Sequence, residues 1–245
     1  MKRGPIVAVI PARYASTRFP GKPLAPVYGK PLIQWVWEGA RKAAKIDRVI
    51  VATDDDRIAA AAKDFGAEVK KTREDHLSGT DRIAEATLGM SAAWILNIQG
   101  DEPLIEGPLL DRWIDGFNPL FGMTTVATPL PEAADLENCN VVKVSFDQQG
   151  RALGFQRRVP ADQAKEWSHQ HLGLYAYTPS TLQKFVSLAP SPGEQRERLE
   201  QLRALENGIA IQVLPLTFLS VGVDTPGDVP RAERALANRA TTVST

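Results

Sequence analysis

A single cysteine, Cys139, in 245 residues excludes an intramolecular disulfide and a thiolate metal cluster. It points to a reducing compartment and to a buried, inert thiol. An excess of one charge is also missing. Lys+Arg and Asp+Glu each total 29, a formal net charge of +0, so the chain has no global field of the kind that binding to nucleic acid or a membrane surface uses. Neither partner is expected, and charge has to act locally. No apolar run approaches the length of a membrane span, and the one behind Met1-Lys2-Arg3 is too short for a signal peptide. The expected location is the cytoplasm. Linkers, repeats and low-complexity blocks are lacking too, which leaves a chain long enough to bury a sizeable core.

What is present is an alternation of apolar strand-like runs and helical patterns. Strands are expected at 6–10, 48–53, 67–71 and 94–98. Asp54 is placed to cap a helix that Gly66 ends, and Ser78-Gly79 precede a helix over about 81–88. The first half therefore reads as a βαβ series with helices on a mostly parallel sheet. Residues 141–177 change character, with an antiparallel hairpin around Gly150 and an alternating strand at 171–177. A helix over about 194–206 stopped by Gly208, a strand at 209–214 and a helix after Pro226 complete the pattern. The expected architecture is one α/β domain over 1–239, a mixed, mainly parallel sheet with helices on both faces and a small antiparallel subregion at 141–177. A frayed tail is expected over 240–245.

Three segments carry chemistry. The strand at 6–10 empties into PARYASTRFPGKP at 11–23, where Arg13, Arg18 and Lys22 lie among the small residues Ala12, Ala15, Ser16 and Gly21. Small residues let backbone N–H groups approach an anion closely, and three cations beside them suit a polyphosphate. A solvated basic loop is the plain alternative, but ligands in such sheets sit at the carboxyl ends of the strands. Next, Gln99-Gly100-Asp101-Glu102-Pro103 places carboxylates at the end of another strand, and Gly222-Val223-Asp224-Thr225-Pro226 places a further acid after an apolar segment. Separately these read as a turn and a helix start. Together with the cationic loop they fit a triphosphate bridged by magnesium.

These three segments, with TREDHLSGTDR at 72–82, HLGLYAY at 171–177 and LEQLR at 199–203, resemble the 3-deoxy-manno-octulosonate (Kdo) cytidylyltransferases over about residues 6–233. The opening loop alone would mark only sugar nucleotidyltransferases in general; all six in this order are specific. The resemblance implies a Rossmann-like nucleotide-diphospho-sugar transferase fold, and a reaction in which CTP and Kdo give CMP-Kdo and pyrophosphate with Mg2+ as cofactor, supplying lipopolysaccharide biosynthesis. It also implies a homodimer in which 141–177 contributes to the contact. Carried over position by position, it gives Arg13, Ser16, Arg18 and Lys22 to the phosphates, and Arg73, Ser78, Gly79 and Gln99 to the cytidine. Asp101 and Asp224 become metal ligands and, with Arg13 and Lys22, the catalytic set. The acid sugar falls to Arg157, His171, Tyr175, Glu200 and Gln201. His76 and His169 are read as surface or loop residues.

The chain departs from the family pattern in places. Gln156 stands where Ser is common, the stretch 158–168 is short and polar, Asp81 replaces a usual glutamate and Gly227 a usual acid. The altered sugar loop keeps an amino-substituted Kdo in view as substrate, and sialic acid more distantly. A non-catalytic nucleotide-sugar-binding protein would be expected to lose a phosphate cation or a metal acid, yet Arg13, Lys22, Asp101 and Asp224 are all present. Asp54-Asp55-Asp56 contains the Asp-x-Asp pattern of metal-dependent glycosyltransferases, but it precedes a helical repeat and reads as a helix N-terminus, which negative charge favours.

Overall fold

The computed structural model describes residues 4–130 and 133–242. Its main elements in chain order are β1 (Ile6–Ala12), β2 (Pro26–Val27), β3 (Lys30–Pro31), α1 (Leu32–Arg41), β4 (Arg48–Thr53), α2 (Asp56–Asp64), β5 (Glu68–Lys71), α3 (Gly79–Ala86), β6 (Trp94–Asn97) and α4 (Gly107–Asp115). There follow β7 (Met123–Pro129), β8 (Lys143–Phe146), β9 (Ala152–Gln156), β10 (His169–Tyr177), α5 (Pro179–Val186), α6 (Pro192–Glu197), α7 (Gln201–Glu206), β11 (Ile211–Pro215) and α8 (Val229–Thr242). The chain divides into two compact units, residues 1–112 with 219–245, and residues 113–218.

In the first unit β6, β1, β4 and β5 lie side by side, all parallel. Ile6 through Ile10 are 1% exposed or less, as expected of a central parallel strand covered on both faces. Parallel pairing puts the carboxyl ends of these strands along one edge of the sheet. The loops that leave β1, β5 and β6 there are the cationic loop, the 72–82 segment and the Gln99 turn. α1 buries Leu32, Ile33, Val36 and Ala40, and Gly39 lets it approach so closely that a Cβ there would lie 2.1 Å from the Ile105 carbonyl oxygen.

In the second unit β7 lies between β11, parallel to it, and β10, antiparallel to it. β8 pairs antiparallel with both β10 and β9, so the expected hairpin and alternating strand form one small antiparallel region.

Several expectations need correction. Asp55, not Asp54, caps α2, its carboxylate accepting from the N–H groups of Arg57 and Ile58. Asp54 instead pairs with the buried Arg82 at 2.8 Å. The helix expected over 194–206 is two helices, because Arg198 takes a left-handed conformation at φ 55° between them. The strand expected at 209–214 runs over Ile211–Pro215, and the one at 171–177 starts two residues earlier. Cys139 is exposed rather than buried; it lies in the exposed run 137–140, where Glu137, Asn138 and Asn140 keep the segment in solvent although Leu136 just before it is buried. Of the expected tail, 240–242 continue α8, and 243–245 lie outside the described residues.

Candidate active site

The loop leaving β1 is folded around Tyr14. Its carbonyl accepts from the N–H groups of Ser16 (3.0 Å) and Gly21 (2.9 Å), and Gly21 takes φ 73°, with its position only about 3.0 Å from the Tyr14 ring once a Cβ is added. The guanidinium of Arg57 lies over that ring, 3.3 Å from its centroid, and Asp55 holds Arg57 through two side-chain hydrogen bonds. The cap of α2 thus also fixes the cationic loop. That function of Tyr14, Asp55 and Arg57 was invisible in sequence because the three are brought together only by the pairing of β1 with β4.

Of the residues expected at the nucleotide, Arg13, Ser16, Arg18, Lys22, Ser78, Gly79 and Gln99 line one cavity of about 410 Å³. Asp101 and Asp224 face the same space. Arg73 does not line it: its side chain is turned toward Asp75 and Glu85, both at 3.6 Å. Two residues that sequence reasoning did not assign are in the wall. His76, expected at the surface or in a loop, does lie in the loop between β5 and α3, but its side chain is buried and its Nε2 contacts the Glu85 carboxylate. Arg82 is 3% exposed and donates to Thr72 Oγ1 and to the Arg73 carbonyl, so it ties the 72–82 segment together from beneath. Ser78 serves as an N-cap in a reciprocal arrangement with Asp81, so the aspartate in the usual glutamate position still closes the capping box.

The acidic side of the cavity is organised by one ammonium. Lys22 Nζ lies 2.5 Å from Asp101 and 3.3 Å from Asp224, and Arg18 holds the same Asp224 oxygen at 2.9 Å. The Val223 N–H donates to the Asp101 carbonyl at 3.0 Å, which fastens the Gly222 segment to the Gln99 turn. Glu102 lies behind, accepting from Ser220 Oγ at 2.9 and 2.8 Å. Burial first, then the nearby charges of Asp101 and Asp224, push its carboxyl up to about 7. Because one cation already reaches both Asp101 and Asp224, a hard metal ion between them would be reached by both. Among the described residues no group of three His, Cys, Asp or Glu side chains is placed to hold a metal ion. The three acids of the Asp-x-Asp run are each engaged elsewhere, Asp54 with Arg82, Asp55 with Arg57 and Asp56 with Lys71.

The residues expected at the sugar all lie in the second unit. His171 and Tyr175 project from β10 with ring centroids 5.3 Å apart, and Phe155 packs edge-on against His171 at 5.0 Å. Burial pushes the His171 imidazole down to about 3, so it is neutral at ordinary pH. Thr125 Oγ1 directs its proton to the Leu174 carbonyl at 2.7 Å and sits 3.0 Å from His171 Nε2. His171 is then the donor at Nε2, and Nδ1 remains an acceptor. Burial raises the Tyr175 hydroxyl well above its usual value, with Tyr177 and Glu200 adding to the effect. Gln201 is 4% exposed, and its Nε2 has no hydrogen-bond partner among the described residues. Arg157 points its guanidinium at main chain, donating to the carbonyls of Glu197 (2.7 Å), Cys139 (2.9 Å) and Arg198 (3.2 Å). His169, expected at the surface or in a loop, is half-buried on β10 against Phe146.

Comparison with known proteins bears on both units. A cytidylyltransferase family model matches residues 7–211. A 3-deoxy-manno-octulosonate cytidylyltransferase of Syntrophotalea carbinolica is 47% identical over 94% of this chain and 98% of its own. Another, from Pseudomonas syringae pv. tomato, is 47% identical over 93% and 96%. Among solved structures, a CMP:2-keto-3-deoxy-manno-octonic acid synthetase complexed with CTP superposes with a TM-score of 0.90 at 38% identity, covering 96% of this chain and 99% of that one.

Proposed function

The chain belongs to the 3-deoxy-manno-octulosonate cytidylyltransferase family, and from that membership we propose that it joins CTP to Kdo, giving CMP-Kdo and pyrophosphate. The observation that carries the reading to particular atoms is the junction at Lys22, where one ammonium touches both Asp101 and Asp224 in a cavity lined by Arg13, Ser16 and Arg18. The anomeric hydroxyl of Kdo attacks the α-phosphorus of CTP while the bond to pyrophosphate breaks, and the hydroxyl proton leaves to solvent. No covalent nucleophile is needed. Catalysis in such a transfer rests on alignment and on neutralising charge over the phosphate oxygens.

Arg13, Ser16, Arg18 and Lys22 hold the triphosphate, with Lys22 released from its carboxylate partners as the phosphates arrive. Asp101 and Asp224 would hold Mg2+, which would supply neutralisation of charge on the phosphate oxygens. Ser78, Gly79 and Gln99 receive the cytosine and ribose, with Arg73 nearby through its main chain. Neutral His171, Tyr175, Gln201 and the Glu200 carboxylate meet the sugar hydroxyls, a set that supplies both donors and acceptors. Arg157 retains N–H groups beyond those given to carbonyls, and these would serve the sugar carboxylate. Operation in the cytoplasm as a homodimer and a place in lipopolysaccharide synthesis complete the reading.

The test is pyrophosphate release from CTP that depends on added Kdo. CTP is expected to be strongly preferred over GTP and ATP, whose purines exceed the small-residue wall at Ser78 and Gly79. UTP fits sterically but reverses donor and acceptor at position 4 of the base, and leaving buried polar groups unpaired is what gives a hydrogen-bonded site discrimination. Running Kdo, its 8-amino analogue and sialic acid at equal CTP decides the sugar. Release independent of any acid sugar, or equal turnover of GTP, overturns the reading.

A further inference from the structure

Lys143, on β8, is 0% exposed. Its ammonium donates to the main-chain carbonyls of Val141 (2.6 Å), Asp135 (3.0 Å) and Asn138 (3.0 Å) and to that of Arg157. Four acceptors surround three N–H donors, and none of the four is a carboxylate. A buried charge is usually paired with an opposite charge, because desolvation is costly. Here dipoles replace the counter-ion. Burial accordingly draws the lysine below its ordinary pKa, and Asp135 is the foremost charge opposing that shift.

Three of the carbonyls lie in the 135–141 loop and the fourth, that of Arg157, in the turn that follows β9, so the ammonium closes the loop onto that turn. That turn carries Arg157. Its guanidinium returns to the same loop at the Cys139 carbonyl and extends to the carbonyls of Glu197 and Arg198, just ahead of Glu200 and Gln201. On its other side β8 sets β10: Gln170 pairs with Lys143, and the His171 N–H donates to the Val142 carbonyl at 2.8 Å. Both sets of proposed sugar contacts, His171 with Tyr175 and Glu200 with Gln201, are therefore anchored to backbone that one buried cation gathers.

We propose that Lys143 is a positioning residue for the acid sugar, its caged ammonium holding the 135–141 loop and the Arg157 turn at the spacing that presents His171, Glu200 and Gln201 to the substrate. This rests on the assignment of those residues to the sugar. Lys143 touches neither substrate. Its removal leaves a carbonyl-lined hole of ammonium size, the kind of oxygen cage that accepts potassium in place of its water shell.

The experiment measures pyrophosphate release as a function of Kdo and of CTP for Lys143→Ala, Lys143→Arg, His171→Ala and Gln201→Ala, at constant ionic strength in potassium, ammonium, lithium or N-methylglucamine chloride. For Lys143→Ala in N-methylglucamine, the KM for Kdo is expected to rise about tenfold or more while the KM for CTP stays within about twofold. Potassium and ammonium should recover the Kdo value, and lithium, too small for the cage, should not. Lys143→Arg keeps the charge and stem, so it serves if the alanine variant does not fold. Its planar fork cannot meet four carbonyls spread around one point, and the same selective rise is expected. Loss of stability alone would move neither the split between the two KM values nor its dependence on cation size. Wild-type Kdo dependence in the folded variants, or parallel losses for both substrates, overturns the proposal. If His171→Ala and Gln201→Ala raise the Kdo KM while the Lys143 variants do not, only the positioning role has failed. If none of the four does, the sugar assignment has failed with it.

Discussion

Removing the Lys22 ammonium leaves Asp101 and Asp224 facing each other with Arg18 as the remaining cation on Asp224. Lys22→Ala is expected to lower kcat by roughly 10²–10³, in line with loss of one preorganised donor to a charged transition state, while the melting temperature changes little. A lowered melting temperature with full activity would make the lysine structural. Asp101→Asn and Asp224→Asn keep volume and remove charge, so each is expected to abolish turnover in a protein of unchanged circular dichroism. Near-normal rates at limiting magnesium in either variant would take that residue out of the proposed metal site. Which carboxylates and cations share the cavity was legible in the motifs, since the three segments leave strand ends that parallel pairing aligns. The pairing of Lys22 with both acids was not legible, because no spacing rule connects positions separated by so much chain.

At the scale of elements, the strands were readable wherever an apolar run was bounded by polar residues, as at β1, β4 and β6. Capping within Asp54-Asp55-Asp56 was not, because each acid has the same local chemistry and only the distant Arg82 draws Asp54 away. The break between α6 and α7 was equally hidden. No Gly or Pro marks it, and the main chain of Glu197 and Arg198 is instead held by the Arg157 side chain. Because Arg198 sits at φ 55°, Arg198→Gly relieves left-handed strain and is expected to be neutral or to stabilise by up to about 1 kcal/mol in denaturant unfolding. An appreciable loss would mean that the arginine side chain itself supports the break. Gly39→Ala places a methyl against the Ile105 carbonyl, and a loss of about 1–3 kcal/mol is expected from the forced separation of α1. Unchanged stability there would show that α1 can shift without cost.

For the molecule as a whole, acid stability carries the signature of a buried neutral histidine. The His171 pKa falls from 6.5 in the unfolded chain to about 3 in the folded one, so folding excludes a proton. Its contribution is fully present above about pH 6.5 and is lost as pH falls toward 3, at up to about 1.4 kcal/mol per pH unit. Glu102, raised from 4.5 to about 7, acts in the opposite sense, with stability lost as pH rises through that range. Comparing wild type with His171→Gln isolates the imidazole: the difference in unfolding free energy is expected to shrink between pH 7 and 4. A constant difference would mean that the ring is solvated in the folded protein.

The exposed position of Cys139 has a practical side. As the chain's sole thiol, it makes chemistry at sulfur regioselective without any engineering, so a maleimide dye or a spin label lands at one known point. Its own peptide carbonyl is the one that Arg157 grasps. A reporter there sits on the backbone that Arg157 and Lys143 hold, and titrating CTP and Kdo separately against its emission would read occupancy of the sugar side in real time, from the unaltered sequence.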